Sequence, residues 1–290
     1  MPGKKWTNNE IIILNSCYGK MPTKKLVYSL PSRTLWAIES KAKSIGLANK
    51  HIDYKLIMNN NTAYYLGWIA SDGYLRDVTK KKKSYDIELC INTADLKILE
   101  ELKDSMGIGL IKRKIRTRIS EGKIEKISDM SIYNIGNKSL YNQLIQLGFS
   151  ERKTKVIPWI KLDDSLYKDF VRGVFDGDGC ITWRRNVGRN QNSPQNSPQN
   201  SPQSGSWVTS FCSASKSFID GLYDCLHSNG IVYGGSLHSS NGVFIFSLGK
   251  ADTISLGKWL YDDGCLKLDR KYDKFQMAIK GIGKYDKQIS

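Results

Sequence analysis

The sequence predicts an α+β fold of two pseudo-symmetric αββαββα halves, preceded by a small three-helix domain. Three observations lead to this prediction: a long internal repeat, a change from strand-like alternation to helical spacing at matching points of each copy, and a separate helical segment at the N-terminus. We place the parts at residues 1–50, 51–160 and 161–290. A chain of 290 residues is long enough to bury a substantial core.

The N-terminal segment has the pattern of three short helices. Thr7 or Asn8 is suited to cap the first helix, and residues 23–30 form the second. Pro31 then breaks the pattern, and Ser32 is suited to cap the third helix. Because lysines and arginines accompany these helices, the segment is a candidate helix-turn-helix module.

The internal repeat begins near Asn61 and again near Asp164. The first copy runs from YYLGWIASDGYL through the alternating YDIELCIN to the helical ADLKILEELKDSMG, and the second from FVRGVFDGDGCI through SWVTSFCS to SKSFIDGLYDCLHSNG. Later pieces also match, since residues 131–140 parallel residues 244–253. Each half is therefore predicted to contain a helix, two strands, a helix, two strands and a helix. Within the second copy, residues 188–206 are a Pro, Ser and Gln repeat with no apolar side chain to bury, which predicts a disordered, dispensable loop.

Composition narrows the range of possible functions and partners. Lys and Arg number 44 against 28 Asp and Glu, which gives a formal charge of +16 and predicts a polyanionic partner, with nucleic acid preferred over a merely well-solvated surface. We expect a soluble, cytoplasmic protein that does not bind membranes, because there is no long apolar run and no signal peptide. The six cysteines form no C-x-x-C pair, and three dispersed histidines do not suit a His-metal nuclease or a Ser-His-Asp hydrolase.

The first helix of each repeat carries small residues at helical spacing. Residues three and four positions apart lie on the same helix face, so small side chains there let two helix backbones approach closely. The predicted helix-packing residues are Gly67, Ala70 and Ser71 in the first copy, and Gly173 and Gly177 in the second.

Both of these helices end in Asp-Gly, at Asp72 and Asp178. A carboxylate at a helix C-terminus is disfavoured by ~0.3 to 1 kcal/mol, and two packed helices would also bring the two acids together. A hard divalent cation with oxygen ligands, Mg²⁺, is the simplest counter-charge, and it supports phosphodiester hydrolysis. The alternative is that both aspartates merely cap turns.

The two motifs YLGWIASDG (Tyr65 to Gly73) and VRGVFDGDG (Val171 to Gly179) resemble the LAGLIDADG signature over all nine positions. Through the repeated halves, the resemblance extends over roughly Asn61 to Phe275. It implies a single-chain, monomeric homing endonuclease whose halves form a DNA-binding saddle. The eighth motif position, Asp72 and Asp178 here, is the metal-binding and catalytic acid of that family.

The same resemblance implies Mg²⁺-dependent double-strand cuts across the minor groove of a long target site, leaving short 3′ overhangs. The usually acidic sixth position is Asp176 in the second copy but Ala70 in the first, which puts an equal contribution of the two halves in doubt. An RNA maturase that assists intron splicing, with intron RNA as a partner, and a non-cutting DNA regulator remain alternatives. Retention of both acids favours cutting.

Basic segments follow both halves, at residues 151–155 and 269–274. In the family, basic residues near the active site polarise the attacking water or stabilise the phosphorane, so Lys153 and Lys271 are candidate catalytic residues. The alternative is that both are solvated lysines at a helix end, where the helix dipole favours cations.

Further basic residues are candidates for DNA contact. The segments WTNNEIIIL and LPSRTLWAIESKAKSIGL resemble Myb-like or helix-turn-helix modules, which implies a third helix in the major groove, although a mere packing module is an alternative. The predicted DNA contacts are Arg33, Trp36, Ser40, Lys41 and Lys43 in this module, Lys80, Lys81 and Lys82 at a hairpin tip, Lys112, Lys114, Arg116 and Arg118 on one strand, and Arg184 and Arg185 in the second half.

Overall fold

The computed structural model has its helices and strands in the order that the internal repeat predicts. It describes residues 5–18, 23–45, 47, 54–76, 85–120, 123–151, 156–185 and 205–284. The chain divides into two units, one of residues 1–55 with 137–142 and the other of residues 56–136 with 143–290. Among the described residues, none of the helices has the length and apolar character needed to cross a membrane.

The N-terminal unit contains the three predicted helices, α1 (Asn8–Cys17), α2 (Thr23–Ser29) and α3 (Leu35–Ser44). Thr7 caps α1 in a capping box, in which its hydroxyl accepts the Glu10 N–H and the Glu10 carboxylate accepts the Thr7 N–H. The helices enclose a small apolar core, formed by Leu14, Leu26, Leu30, Ile38, Ala42 and Leu47.

The cap of α3 differs from the prediction. Thr34, and not Ser32, accepts the N–H of Ala37 and begins the helix. The Ser32 hydroxyl instead donates to the Glu10 carboxylate at 2.9 Å, so it is used to hold the turn before α3 against α1. The sequence could not distinguish these two hydroxyls because both precede an apolar helical run.

Both halves of the internal repeat have the predicted order of elements. The first half contains α4 (Asn60–Ser71), β1 (Gly73–Leu75), β2 (Asp86–Asn92), α5 (Leu96–Met106), β3 (Leu110–Ser120), β4 (Lys123–Gly136) and α6 (Lys138–Gln146). The second half contains α7 (Tyr167–Asp178), β5 (Cys180–Arg185), β6 (Gly205–Ser213), α8 (Lys216–Ser228), β7 (Ser236–Ser240), β8 (Val243–Leu248) and α9 (Lys250–Leu260). The two αββαββα halves are thus confirmed. Short 3₁₀ turns at Thr93–Asp95 and Asp164–Leu166 precede α5 and α7.

One further helix was not predicted. The basic segment at residues 269–274 forms the first part of α10 (Asp269–Ile279), which packs against α9. Its buried residues Lys271, Phe275 and Ala278 recur at helical spacing, so one face of α10 belongs to the core. The charge of the segment hid this apolar face in the sequence.

Each half builds one antiparallel four-stranded sheet, with strand orders β1-β2-β4-β3 and β5-β6-β8-β7. Side chains alternate between the two faces of a strand, and one face of each sheet is apolar. In β2 the buried residues are Ile87, Leu89 and Ile91, and in β6 they are Trp207, Thr209 and Phe211. The opposite face of each sheet carries polar and charged residues together with some apolar ones, such as Ile132 and Val208. Residues 186–204, which hold most of the predicted low-complexity loop, lie outside the described residues.

Candidate active site

The site lies where α4 and α7 cross, and glycines make the crossing close. A Cβ added to Gly67 would stand 2.1 Å from the carbonyl oxygen of Phe170, and one added to Gly173 would stand 2.1 Å from that of Tyr64. Both distances are far below van der Waals contact, so the two helices touch through their backbones. Near the helix ends, a Cβ on Gly177 would stand 1.9 Å from the Ser71 hydroxyl. Ala70 is buried on the same helix as Ser71.

This crossing brings Asp72 and Asp178 into one site. Asp72 follows the last turn of α4, where its N–H donates to the Trp68 carbonyl at 3.0 Å, and Asp178 is the last residue of α7. The Asp72 carboxylate leans towards α7, since its Oδ2 lies 3.6 Å from the point where a Gly177 Cβ would stand. Both carboxylates act electrostatically on the same ammonium, that of Lys271.

Glycine is required after each of the two acids because a Cβ does not fit at either position. Gly179 has an ordinary φ of −69°, so it is not a left-handed helix cap. A Cβ on it would stand 2.3 Å from the Phe175 ring, and a Cβ on Gly73 would stand 2.6 Å from the Cα of Ile69. Each chain therefore turns directly from its helix into the first strand of its sheet, which fixes the backbone on both sides of the acid.

Lys271 is bound to the end of α7. Its side chain is buried, and its ammonium donates to the carbonyls of Phe175, Asp176 and Gly177 at 2.7, 2.8 and 3.0 Å. Burial lowers the pKa of Lys271 to about 8, and the carboxylates of Asp176, Asp72 and Asp178 oppose that shift. Lys271 thus neutralises the carbonyl end of the helix that presents Asp178. Lys153, its predicted counterpart, lies outside the described residues.

Replacing Lys271 with methionine should lower the free energy of unfolding by about 3 kcal/mol, because three buried carbonyls would lose their charged donor. Denaturant unfolding followed by circular dichroism would measure the loss. Lys274→Met is the matched control on the same helix. Lys274 is exposed, and its ammonium makes a long hydrogen bond of 3.5 Å to the Ile181 carbonyl, so this variant should lower the free energy of unfolding by less than about 1 kcal/mol. Equal losses in the two variants would contradict the capping role of Lys271.

Asp176 ties the second half to α4. Its carboxylate accepts hydrogen bonds from the Tyr64 hydroxyl at 2.7 Å, the Leu268 N–H at 2.9 Å and the Tyr261 hydroxyl at 3.1 Å. Complete burial raises the pKa of Asp176 to about 6, although these donors favour the charged form. In the first half Ala70 holds the corresponding place, so the two halves are unequal here and this carboxylate has a structural task.

A buried ion pair on α7 was missed in the sequence. Arg172 is bonded to Asp169, one turn earlier, and its guanidinium also donates to the carbonyls of Leu266 at 2.7 Å and Leu260 at 2.9 Å. The guanidinium lies over the Tyr64 ring, 5.1 Å from its centroid. An Asp and an Arg three positions apart within an apolar motif were the available signal, since such charges are rarely buried unless paired.

The predicted DNA-contacting strand is β3. Lys112, Lys114, Arg116 and Arg118 are exposed at alternate positions of this strand, and we call them the cationic strand face. Arg113 points to the other side, where it forms an ion pair with Asp129. In the second half Arg184 and Arg185 are exposed at the end of β5, while Lys80, Lys81 and Lys82 lie outside the described residues.

The N-terminal unit requires one correction. Arg33 was predicted to contact DNA, but it is buried and its guanidinium donates to Glu10 at 2.7 Å and to the Lys5 carbonyl at 2.6 Å. The same group lies 4.4 Å from the centroid of the Trp6 ring. It is therefore committed to holding the three-helix unit together. The other predicted residues of this unit are more accessible: Trp36, Ser40 and Lys43 are exposed and Lys41 is half-buried.

The two acids suit a hard divalent cation. Among the described residues, no group of three or more His, Cys, Asp or Glu side chains could hold a metal ion by itself. Two carboxylates nevertheless match Mg²⁺, which keeps several waters and binds through one or two carboxylates together with substrate phosphates. The residues that would hold it are Asp72 and Asp178.

No protein-family model and no curated protein matches the sequence. Among solved structures, the chain is similar to the homing endonuclease I-WcaI bound to its DNA recognition sequence, with a TM-score of 0.50, 11% identity, and coverage of 87% of this chain and 97% of that one. The LAGLIDADG meganuclease I-AabMI bound to uncleaved DNA gives a TM-score of 0.46 and 17% identity, covering 77% and 90%. The crystal structure of I-DmoI in complex with DNA and Ca gives a TM-score of 0.46 and 14% identity, and the match covers 75% of this chain and 97% of that one. At such identities the likeness to I-WcaI is one of fold.

Proposed function

We propose that this chain is a DNA endonuclease that cuts both strands of a long target site with a divalent metal ion held by Asp72 and Asp178. The observation that carries the proposal is the crossing of α4 and α7, where backbone contact at Gly67 and Gly173 places two acids at adjoining helix ends. Each acid lies at the negative end of a helix, which disfavours a carboxylate there, and Lys271 offsets part of this cost at the end of α7. A bound divalent ion offsets both the helix dipoles and the repulsion between the carboxylates.

The charge of the protein supports a duplex as substrate. The net charge of +16 and the cationic strand face give phosphates a place to bind, and β3 belongs to the same sheet as β1, which follows Asp72 directly. Since both acids come from one chain, we propose that the active species is a monomer. The N-terminal unit is proposed to add contacts outside the central site through Trp36, Ser40, Lys41 and Lys43.

In the proposed reaction, each part of the chain has a separate task. The cationic strand face binds the phosphates, and α4 and α7 orient the two carboxylates. Lys271 holds the last turn of α7 in place. When bound, the divalent ion supplies Lewis acidity for in-line hydrolysis of the phosphodiester. The ion is proposed to be Mg²⁺, and the enzyme is proposed to cut across the minor groove and leave short 3′ overhangs.

Incubation with a randomised duplex library tests the proposal, with Mg²⁺ in one sample and EDTA in the other. We expect discrete double-strand cuts with Mg²⁺ and no cuts with EDTA, and sequencing of the product ends gives the overhang. Binding of a duplex without cutting, under a range of divalent ions, would instead support a non-cutting regulator. Tight binding of structured RNA together with no cutting of DNA would support a maturase.

Binding of the duplex should weaken steeply with salt. If about 10 phosphates are neutralised, a plot of log affinity against log salt concentration should have a slope near −9. Fluorescence anisotropy of a labelled duplex between low and physiological salt would measure this slope. A flat response would contradict phosphate binding by the basic surface, whatever the outcome of the cleavage experiment.

A further inference from the structure

The first turn of α10 connects the two halves of the internal repeat. On one side this turn is bound to α7. The Leu268 N–H donates to the Asp176 carboxylate at 2.9 Å, and the Lys271 ammonium donates to the three carbonyls at the end of α7. Both ends of the turn are therefore fixed to the helix that presents Asp178.

The two residues between Leu268 and Lys271 bind the first half. The Arg270 guanidinium donates to both carboxylate oxygens of Asp95, at 3.0 and 3.3 Å, and the Lys97 ammonium donates to the Asp269 carboxylate at 2.8 Å. Asp95 and Lys97 lie at the start of α5, whereas Asp269 and Arg270 begin α10. Each half supplies one cation and one anion to the contact, and we call these four residues the α10 clamp.

Asp95 is committed to this contact and not to its own helix. It is the N-cap residue of α5, a position at which an aspartate normally accepts an N–H from the first helical turn. The Asp95 side chain makes no such cap hydrogen bond. Its carboxylate is only 16% exposed and is paired with Arg270 of the other half. The unused cap shows that the side chain is directed across the boundary between the halves.

The equivalent helix of the second half, α8, is also held by the opposite half, but without ion pairs. The hydroxyls of Ser215 and Ser217, at the start of α8, donate to the Ile157 carbonyl at 2.6 and 3.3 Å. Ile157 lies in the segment between α6 and α7, and Trp159 of the same segment packs against Phe218 of α8. Of these two contacts the α10 clamp is the ionic one, so it can be broken and rebuilt by exchanging charges.

A second contact between the halves restricts a motion that the crossing of α4 and α7 leaves open. Two helices that touch at Gly67 and Gly173 are held at a fixed separation, but they can still rotate about the point of contact. Such a rotation would displace Asp72 relative to Asp178. Groups that act together on one metal ion and one substrate must be held within about 0.5 Å of the productive geometry. A contact elsewhere on both halves prevents the rotation.

We propose that the α10 clamp sets the relative position of the two acids, with Asp95 and Arg270 as positioning residues for cleavage. The inference rests on the proposed function. On one side, Arg270 is adjacent to Lys271, which holds the end of α7. On the other side, Asp95 follows β2, and β2 pairs with β1, which begins directly after Asp72. Exposed ion pairs add little to stability, so the expected effect is on cleavage and not on folding.

Charge reversal and charge exchange test the clamp. Asp95→Arg sets two guanidinium groups against each other, and single-turnover cleavage of a duplex selected from the randomised library should fall at least about tenfold at saturating protein. Affinity for the duplex, measured by anisotropy in EDTA, should not weaken, because the variant gains positive charge. Combining Asp95→Arg with Arg270→Asp restores the pair and the net charge, so the cleavage rate should return to within about threefold of the parent.

Asp220→Arg is the matched control. It makes the same change of charge and breaks the Lys216–Asp220 ion pair, which lies within α8 and joins no other element. Its cleavage rate should stay within about twofold of the parent, since a pair on one exposed helix face contributes little. Equal losses in Asp220→Arg and Asp95→Arg would overturn the inference. So would an exchange variant that is as slow as Arg270→Asp alone, because Arg270 would then act on DNA directly.

Hydrogen exchange of the protein without DNA tests the clamp independently of cleavage. Amides in the first turn of α10 should exchange at least about tenfold faster in Asp95→Arg than in the parent, and the exchange variant should restore the parent rate. Unchanged exchange in Asp95→Arg would overturn the inference. If the parent cuts DNA and Asp95→Arg cuts equally fast, the inference is wrong and the proposed function stands. If the parent cuts no duplex with any divalent ion, the proposed function fails and the inference fails with it.

Discussion

Substituting asparagine for Asp72 or Asp178 is expected to reduce DNA cleavage by about a thousandfold or more, which corresponds to about 4 kcal/mol of lost transition-state stabilisation. Asparagine keeps the size of the side chain but removes the charge that would hold the metal ion. Because each half supplies one acid, neither can replace the other. Single-turnover cleavage of the selected duplex would measure the loss.

Folding and binding should survive these substitutions. The unfolding free energy should stay within about 1 kcal/mol of the parent, because removing a carboxylate from a helix C-terminus offsets part of any contact that is lost. Asp104→Asn is the control, since Asp104 lies exposed in the last turn of α5, and its cleavage rate should equal that of the parent. Full activity in either Asp72→Asn or Asp178→Asn would exclude the proposed metal site.

The second large effect is on stability. Gly173→Ala should lower the free energy of unfolding by about 3 kcal/mol, even though alanine favours an isolated helix by ~1 kcal/mol. The new methyl group would stand 2.1 Å from the Tyr64 carbonyl, which belongs to the helix backbone and cannot rotate away. The helices must separate, and a wider crossing also moves Asp72 and Asp178 apart. Chemical denaturation would measure the loss.

Gly249→Ala controls for the general effect of removing a glycine. Gly249 precedes α9, and no heavy atom within 4 Å of its added Cβ would obstruct the substitution. Its cost should remain under about 1 kcal/mol, the usual size of a lost helix cap. If Gly173→Ala were no worse than this control, backbone contact between α4 and α7 would not be what holds the crossing together.

Much of the architecture could be predicted because it depends on local periodicity. The repeat from Asn61 onward specified both αββαββα halves, since alternation and helical spacing are properties of neighbouring residues. The glycines at 67 and 173 predicted a close helix pair, and the Asp-Gly steps predicted two acids at its end. The surplus of basic residues pointed to a polyanion without any knowledge of the fold.

Burial and pairing between distant residues depended on the tertiary structure. Arg33 and Lys271 resemble solvated cations in the sequence, yet Glu10 and the carbonyls at the end of α7 bind them inside the protein. Asp176 accepts hydrogen bonds from Tyr261, Leu268 and Tyr64, which lie 85, 92 and 112 positions away in the sequence.

The sequence by itself determined the repeated halves, the two acids and the charge that selects the partner. Only the tertiary structure decided which polar groups are buried and which residue of the neighbouring strand lies across from each acid. The alignment of Cys90 with Asp72 and of Cys212 with Asp178 follows from strand register. Register is set by how whole strands pack their apolar faces, so no local pattern around a cysteine or an aspartate contains it.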